Sequence, residues 1–278
     1  MHDDLRAVAA MAEAAGAMAR AHLGRSERLT KTHGHTFDEA VTAVDRAVQR
    51  ALIADLHARF PDDGIIGEES EDGAGITHLP PRRGGRTWVI DPLDGTNNFI
   101  AGLDAVAVCV GALRDGMPES GVVHAVADGR TWCGLVGAGA WRCDRGCWRP
   151  IRCAQGPLQP AALVMLTSNL LDADGRLPAA IGRWFGTAPW KARMLGSAAL
   201  EAVLAGDGTA AAAYSPNAKL WDVAAAATVV IAAGGEVRRP DGAPLFPFAT
   251  AGYRGAKTPF LAGGAIAVAQ LIADLRAS

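Results

Sequence analysis

Two aspartates, Asp91 and Asp94, stand where an apolar segment runs into a glycine turn, in Thr87-Trp88-Val89-Ile90-Asp91-Pro92-Leu93-Asp94-Gly95-Thr96-Asn97-Asn98-Phe99. The run from Thr87 to Ile90 is apolar and partly β-branched, which predicts a short buried strand. Pro92 biases Asp91 toward extended geometry. Gly95 permits a tight turn, and Thr96 or Asn97 is suited to cap a following helical turn. Two acids and several free backbone N–H groups then converge on one spot, and hard oxygens beside helix-start amides suit Mg²⁺ and a phosphate together. Taken alone, the same stretch also reads as an Asx-type turn in which both aspartates cap backbone amides.

Three more acids occupy turn-like or helix-start contexts. Asp45 closes Val41-Thr42-Ala43-Val44-Asp45, Glu68 follows Ile65-Ile66-Gly67 with Glu69 and Ser70 beside it, and Asp222 follows Trp221 at the start of an alanine-rich apolar segment. A helix dipole favours an acid in that last position. Singly, each has a plain explanation: an exposed helix acid, a loop charge, an N-cap.

Elements that must position these residues are legible in the hydrophobic pattern. Residues 3–23 carry apolar positions at helical spacing (Leu5, Val8, Met11, Ala12, Ala15, Met18, Ala19, Leu23), and residues 38–59 repeat it through Val41, Val44, Val48, Leu52 and Leu56. Residues 31–35 read as a loop. From residue 64 to about 153 short strands alternate with glycine-bearing turns, including Arg114-Asp115-Gly116 and Asp128-Gly129. This portion predicts an antiparallel sheet backed by the two helices. Gln155-Gly156-Pro157-Leu158-Gln159-Pro160 is a boundary, so residues 1–155 form an N-terminal α+β lobe and residues 156–278 a C-terminal α/β lobe. In the second lobe the pattern predicts strands at 163–167 and 209–214 and helices near 173–185, 196–206, 222–233 and 264–276.

The chain has 278 residues, 50% apolar and 20% charged, with a net charge of −2. That composition excludes wholesale disorder and offers no basic field for a nucleic-acid polymer or an anionic membrane. The N-terminus lacks signal-peptide character and the longest apolar runs are too short to span a bilayer, so the expected location is cytoplasmic. Five cysteines are present, and Cys133, Cys143, Cys147 and Cys153 fall within 21 residues without a C-x-x-C pair. They read as reduced cysteines packed in hairpins, with a zinc site as the alternative.

Taken together, Gly67-Glu68-Glu69-Ser70, the stretch from Trp88 to Phe99, and Trp221-Asp222-Val223-Ala224-Ala225 resemble the signatures of the inositol monophosphatase family, in order and spacing, with Val41–Asp45 upstream. The similarity covers nearly the whole chain. It implies a layered α-β-α-β-α sandwich of the inositol monophosphatase and fructose-1,6-bisphosphatase type, and a magnesium-dependent, lithium-sensitive, commonly dimeric phosphatase acting on a small phosphorylated metabolite. The resemblance gives Glu68 and Asp91, with the Leu93 carbonyl, to a first Mg²⁺, and Asp91, Asp94 and Asp222 to a second, in a site of two or three ions. Asp45 and Thr96 would orient and deprotonate the attacking water, with Glu68 counted in the catalytic set. The N–H groups of Gly95 and Thr96 would hold phosphate oxygens, and Lys31 would match a mobile-loop lysine. The charges agree with those roles. Carboxylates about 4 Å apart repel by roughly 4 kcal/mol per pair at an effective dielectric near 20, so four of them together call for cations. Two metals roughly 4 Å apart serve in-line attack by water without a protein nucleophile.

Substrate choice is expected in the second lobe. Gly196-Ser197-Ala198 resembles a family segment whose amide meets a substrate hydroxyl, and Asp94 and Asp222 would also touch the substrate. Inositol-cleaving members carry an acid seven residues before the Asp222 position, where this chain has Ser215. A neutral hydroxyl lacks the charge-assisted bond, about twice as strong as a neutral one. Lys219 reads either as a contact for a second anionic group or as a solvated surface lysine, and His33 and His35 either as metal-reaching or as idle loop residues. The Gly-Pro-Thr run of bisphosphate nucleotidases is absent. The leading expectation is a phosphomonoesterase of small polyol or sugar phosphates. The alternatives are a histidinol-phosphate or 3′-phosphorylated nucleotide phosphatase, and a catalytically silent binding protein on the same scaffold.

Overall fold

The N-terminal periodicity becomes helix α1 (Asp3–Arg20), which buries Leu5, Val8, Ala12, Ala15 and Ala19 along one stripe. The structure is a computed structural model describing residues 2–27, 29–30, 40–70, 75–171 and 175–277, with the backbone alone at 29–30 and 40–41. Lys31, His33 and His35 therefore lie outside the described residues. Two short strands, β1 (Leu29–Thr30) and β2 (Ala40–Val41), pair antiparallel. Helix α2 (Ala43–Arg59) starts later than the apolar pattern suggests because Thr42 caps it. The Thr42 side chain accepts from Val44 N and Asp45 N, while Asp45 accepts from Thr42 N.

The middle of the chain forms one sheet from β3 (Gly64–Gly67), β4 (Thr77–Leu79), β5 (Arg86–Asp94), β6 (Ala107–Arg114), β7 (Met117–Ala125), β8 (Thr131–Leu135), β9 (Gly139–Asp144) and β10 (Cys147–Ile151), with the short helix α3 (Thr96–Ala101) after β5. The strand order is β10-β9-β8-β7-β6-β5-β3-β4. Every neighbouring pair is antiparallel except β3 with β5. The hairpin turns at Asp115-Gly116 and Arg145-Gly146 take positive φ at both residues, as a two-residue turn requires. The second of these, with strand β9, was not legible because glycines at 137 and 139 interrupt the alternation. All five cysteines are free thiols, and only Cys147 is exposed.

The chain then enters a second sheet, from β11 (Leu163–Leu166), β12 (Lys191–Arg193), β13 (Ala212–Ser215), β14 (Glu236–Arg238) and β15 (Phe260–Gly263), in the order β12-β11-β13-β15-β14. Its helices are α4 (Ala179–Gly186), α5 (Ala198–Gly206), α6 (Leu220–Ala232) and α7 (Ala265–Arg276). Strands β12 and β14 have three residues each and leave too short a periodic signal to read. Helices α1 and α2 pack with one face of the large sheet. Helices α5 and α6 share a core with its other face and with the small sheet, whose outer side holds α4 and α7. The result is the α-β-α-β-α sandwich.

Helix α6 is buried nearly all round, which explains its alanine content: it must lie between two sheets. Gly111, Gly121 and Gly134 stand in register on β6, β7 and β8 beneath it. A Cβ at Gly111 would sit 2.7 Å from Ala225 N, and one at Gly134 2.7 Å from Val229 Cα. The glycine row lets the helix backbone rest on the sheet, and α6 carries Asp222. Gly111→Val is therefore expected to destabilise the protein by about 1–3 kcal/mol through overpacking, read from urea midpoints against wild type. An unchanged midpoint would refute the close approach.

Candidate active site

In a regular strand, residues three apart face opposite sides. Along β5, Asp91 pairs with Cys109 but Asp94 pairs with Ala107, so one extra residue bulges out between the two aspartates. Pro92, which has no N–H to give to the ladder, lies in that bulge. The bulge swings Asp94 toward the side of Asp91, and Leu93 N donates to Asp91 Oδ1 at 2.9 Å, the Asx turn the sequence allowed. Gly95 follows with φ +94, where any Cβ would lie 2.6 Å from Ala105 O. Only glycine fits there, and the N–H groups of Gly95 and Thr96 open α3.

Parallel pairing of β3 with β5 brings Glu68 beside Asp91: Gly67 is in register with Ile90, and Glu68 N donates to Ile90 O at 3.2 Å. Asp222 is the third residue of α6 and accepts from Lys219 N at 2.8 Å. Glu68 and Asp222 both lie close enough to Asp91 to act on its charge, so segments far apart in sequence meet at one point. Asp45 comes from the first turn of α2. Its Oδ2 accepts from Thr42 N, and its Oδ1 lies 3.3 Å from Thr96 Oγ1, which is also 3.0 Å from Leu93 O.

Burial pushes the Asp91 carboxyl well above its ordinary range, and repulsion from Glu68, Asp94 and Asp222 pushes it further. Asp222 is raised by burial and then by Asp94 and Glu68. Asp94 rises to about 6 through burial, opposed by hydrogen bonds from Ser197, Ala199 and Ala198. Asp45 also rises to about 6, through burial opposed by Thr42. The Cys109 thiol, next to Asp91 across the ladder, is raised by burial and then by all four acids. Carboxylates crowded in this way favour their protonated forms, and a divalent cation is the natural replacement for those protons. An all-oxygen donor set of this charge fits Mg²⁺. Among the described residues no three His, Cys, Asp or Glu side chains are already placed around one ion position, and Asp91, Asp94 and Asp222 each accept a backbone N–H bond.

Of the expected substrate contacts, Ser197 and Ala198 are held by Asp94. Ser197 Oγ donates to Asp94 Oδ2 at 2.5 Å, with Ala199 N at 2.8 Å and Ala198 N at 3.3 Å. Asp94 thus caps α5 from the neighbouring layer. Gly196 has φ +80, Ser215 ends β13 fully buried, and the Lys219 ammonium lies 5.5 Å over the Trp221 ring.

Several supporting residues escaped sequence reasoning. Glu201 is 1% exposed, and its Oε1 accepts from Leu195 N at 2.7 Å and Gly196 N at 3.0 Å. Its signal was an acid inside the otherwise apolar stretch Ala198–Gly206. Asn98 ties α3 to the same loop by donating to Leu195 O and Ala105 O, both at 2.8 Å. Gln49 clamps the backbone of Glu69, accepting from its N–H at 2.9 Å and donating to its carbonyl. The Tyr253 hydroxyl accepts from Leu220 N at 2.8 Å beside Asp222. Glu201, Gln49 and Tyr253 stand in no motif, whereas Asn98 lies within the Trp88–Phe99 stretch, which does not show its distant partner.

The family model described as the inositol monophosphatase family matches residues 2–273. The chain belongs to this family. Its members are metal-dependent, and this chain is an inositol monophosphatase-family phosphatase, a hydrolase of phosphoric monoesters. It is 32% identical over 243 residues to a histidinol-phosphatase of Mycobacterium tuberculosis, covering 87% of this chain and 89% of that one. It is 30% identical over 217 residues to inositol monophosphatase 1 of Homo sapiens, covering 74% and 73%. Among solved structures, an IMPase of Thermotoga maritima superposes with a TM-score of 0.80 at 26% identity, over 99% of this chain and 98% of that one. Among the described residues no helix is long and apolar enough to cross a membrane.

Burial raises the Glu201 carboxyl to about 8, against the two N–H bonds that lower it. The folded chain then holds a proton that the unfolded chain has lost, so this group's contribution to stability falls as pH rises between about 4.5 and 8. With Mg²⁺ present, the wild-type urea midpoint is expected to drop more from pH 5 to pH 8 (roughly the span of that shift) than that of Glu201→Gln. Equal slopes would contradict the buried-carboxyl assignment.

Proposed function

We propose that this phosphatase is a Mg²⁺-dependent phosphomonoesterase that hydrolyses a small polyol or sugar phosphate by direct attack of water. The observation that supports it most is the convergence of Glu68 and Asp222 on Asp91 in a buried, mutually repelling acid cluster. In this reading Glu68, Asp91, Asp94, Asp222 and the Leu93 carbonyl hold the ions. When bound, Mg²⁺ supplies charge neutralisation for the phosphoryl group and the leaving oxygen, and a more acidic water. Asp45, raised to about 6, is close to the ideal pKa for a general base near neutral pH and takes the proton of the attacking water. Thr96, between Asp45 and the Leu93 carbonyl, orients that water. The Gly95 and Thr96 N–H groups at the start of α3 hold the phosphate oxygens. Turnover of phosphate esters with and without Mg²⁺ tests the reading.

Asp91→Asn removes a ligand and a negative charge together. The expected result is a folded protein that is at least as heat-stable as wild type without metal, loses its Mg²⁺-induced rise in Tm, and turns over several orders of magnitude more slowly. Near-normal phosphate release would refute the ion assignment.

For substrate choice, the neutral Ser215 argues against a site built to grip myo-inositol with a carboxylate. A histidinol-phosphate activity is the second reading, favoured by the similarity that spans 87% of the chain. Ser215→Glu is expected to shift selectivity, as a ratio of kcat/KM, toward a cyclitol phosphate and away from linear substrates. A panel of phosphorylated metabolites with released phosphate as readout decides, and an unchanged ratio would remove position 215 from the specificity site.

A further inference from the structure

Outside the acid site, a groove of about 520 Å³ lies between α2 and the edge strand β4, lined by Arg46, Arg50, Ile53, Ser70, His78 and Leu79 among the described residues. Arg46 and Arg50 are four apart on one helix and project into the same space, an arrangement of like charges that costs stability. Among the described residues neither guanidinium has a hydrogen-bond or ion-pair partner, and the Arg46 Nε is shut off from solvent without an acceptor. A third cation stands at the β4 end, where Arg254 Nη1 lies 3.3 Å from His78 Nδ1. Among the described lining residues the two arginines stand against one acid, Glu69. Ile53, Ala54 and Leu79 give an apolar wall.

We propose that this groove is a binding site, separate from the acid cluster, for a small organic anion: a phosphate or phosphonate group held by Arg46 and Arg50, with an apolar body against Ile53 and Leu79. A guanidinium that is buried at Nε and lacks an acceptor is costly unless an anion completes its hydrogen bonds, and planar guanidinium groups suit tetrahedral oxyanions. The groove also touches the machinery indirectly. Gln49 lines it and at the same time clamps the backbone of Glu69, next to Glu68.

The two sites separate cleanly in EDTA, because the metal-free acid cluster repels anions while the groove keeps its charge. Calorimetric titration of the full chain in EDTA with phenylphosphonate is expected to show saturable binding. Arg50→Ala weakens it about tenfold, the loss of roughly one charged hydrogen-bonding group, and Arg46→Lys weakens it while keeping charge and fold. Asp91→Asn leaves it unchanged, so failure of the metal reading does not carry this one down. Methylphosphonate binds more weakly, having no apolar body. Absence of saturable binding would overturn the proposal, as would binding indifferent to Arg50→Ala. Concentration-dependent self-association abolished by Arg50→Glu, without phenylphosphonate binding, would overturn it in favour of a second copy of this chain.

Discussion

Mutual repulsion among buried carboxylates is the constraint on which the rest of this molecule depends. Asp91 lies buried in the layered core and Asp222 half-buried beside it, with Glu68 and Asp94 close enough to raise their proton affinity. Left ionised and uncompensated, such a group would push its parent elements apart. The fold resists in two ways. Backbone N–H groups of the Asp91 turn and of the first turns of α5 and α6 are aimed at the acids, and packing on both sides leaves those elements nowhere to go. What remains unbalanced is the affinity of the site for a cation.

Two local irregularities make that concentration of charge geometrically possible. The bulge in β5 sets Asp91 and Asp94 toward one side where a regular strand would separate them. The glycine row on β6, β7 and β8 lets α6 approach the sheet closely enough for Asp222 to reach Asp91. Both devices weaken regular structure locally, since a bulge breaks a ladder and glycine raises the entropy lost on folding. A fold optimised for stability alone would carry neither.

Asp94 shows how closely structure and chemistry are joined here. It belongs to the large sheet, yet its oxygens cap α5 of the next layer through Ser197, Ala198 and Ala199. The loop before that cap is held in turn by Glu201 and Asn98. Any rotation of Asp94 is therefore felt by the loop that the resemblance assigns to substrate contact. In the proposed function, binding of an ion and ordering of the substrate loop share one carboxylate.

From its residues alone, the chain determined its amphipathic helices, most strands of the large sheet, the turns at Asp115-Gly116 and Asp128-Gly129, and the set of acids whose pattern marks the family. Those features are local, carried by periodicity, turn chemistry and short motifs within a few residues of one another. Glu201, Gln49 and Tyr253 stand in no motif, and the partners described above for them and for Asn98 lie between 5 and 97 residues away. The three-residue strands β12 and β14 are likewise strands only because a neighbour supplies their ladder bonds. Tertiary structure alone decided that Glu68, Asp91 and Asp222 meet, because parallel pairing of β3 with β5 and the seat of α6 on glycines are contacts between distant segments, and no local pattern encodes a distance.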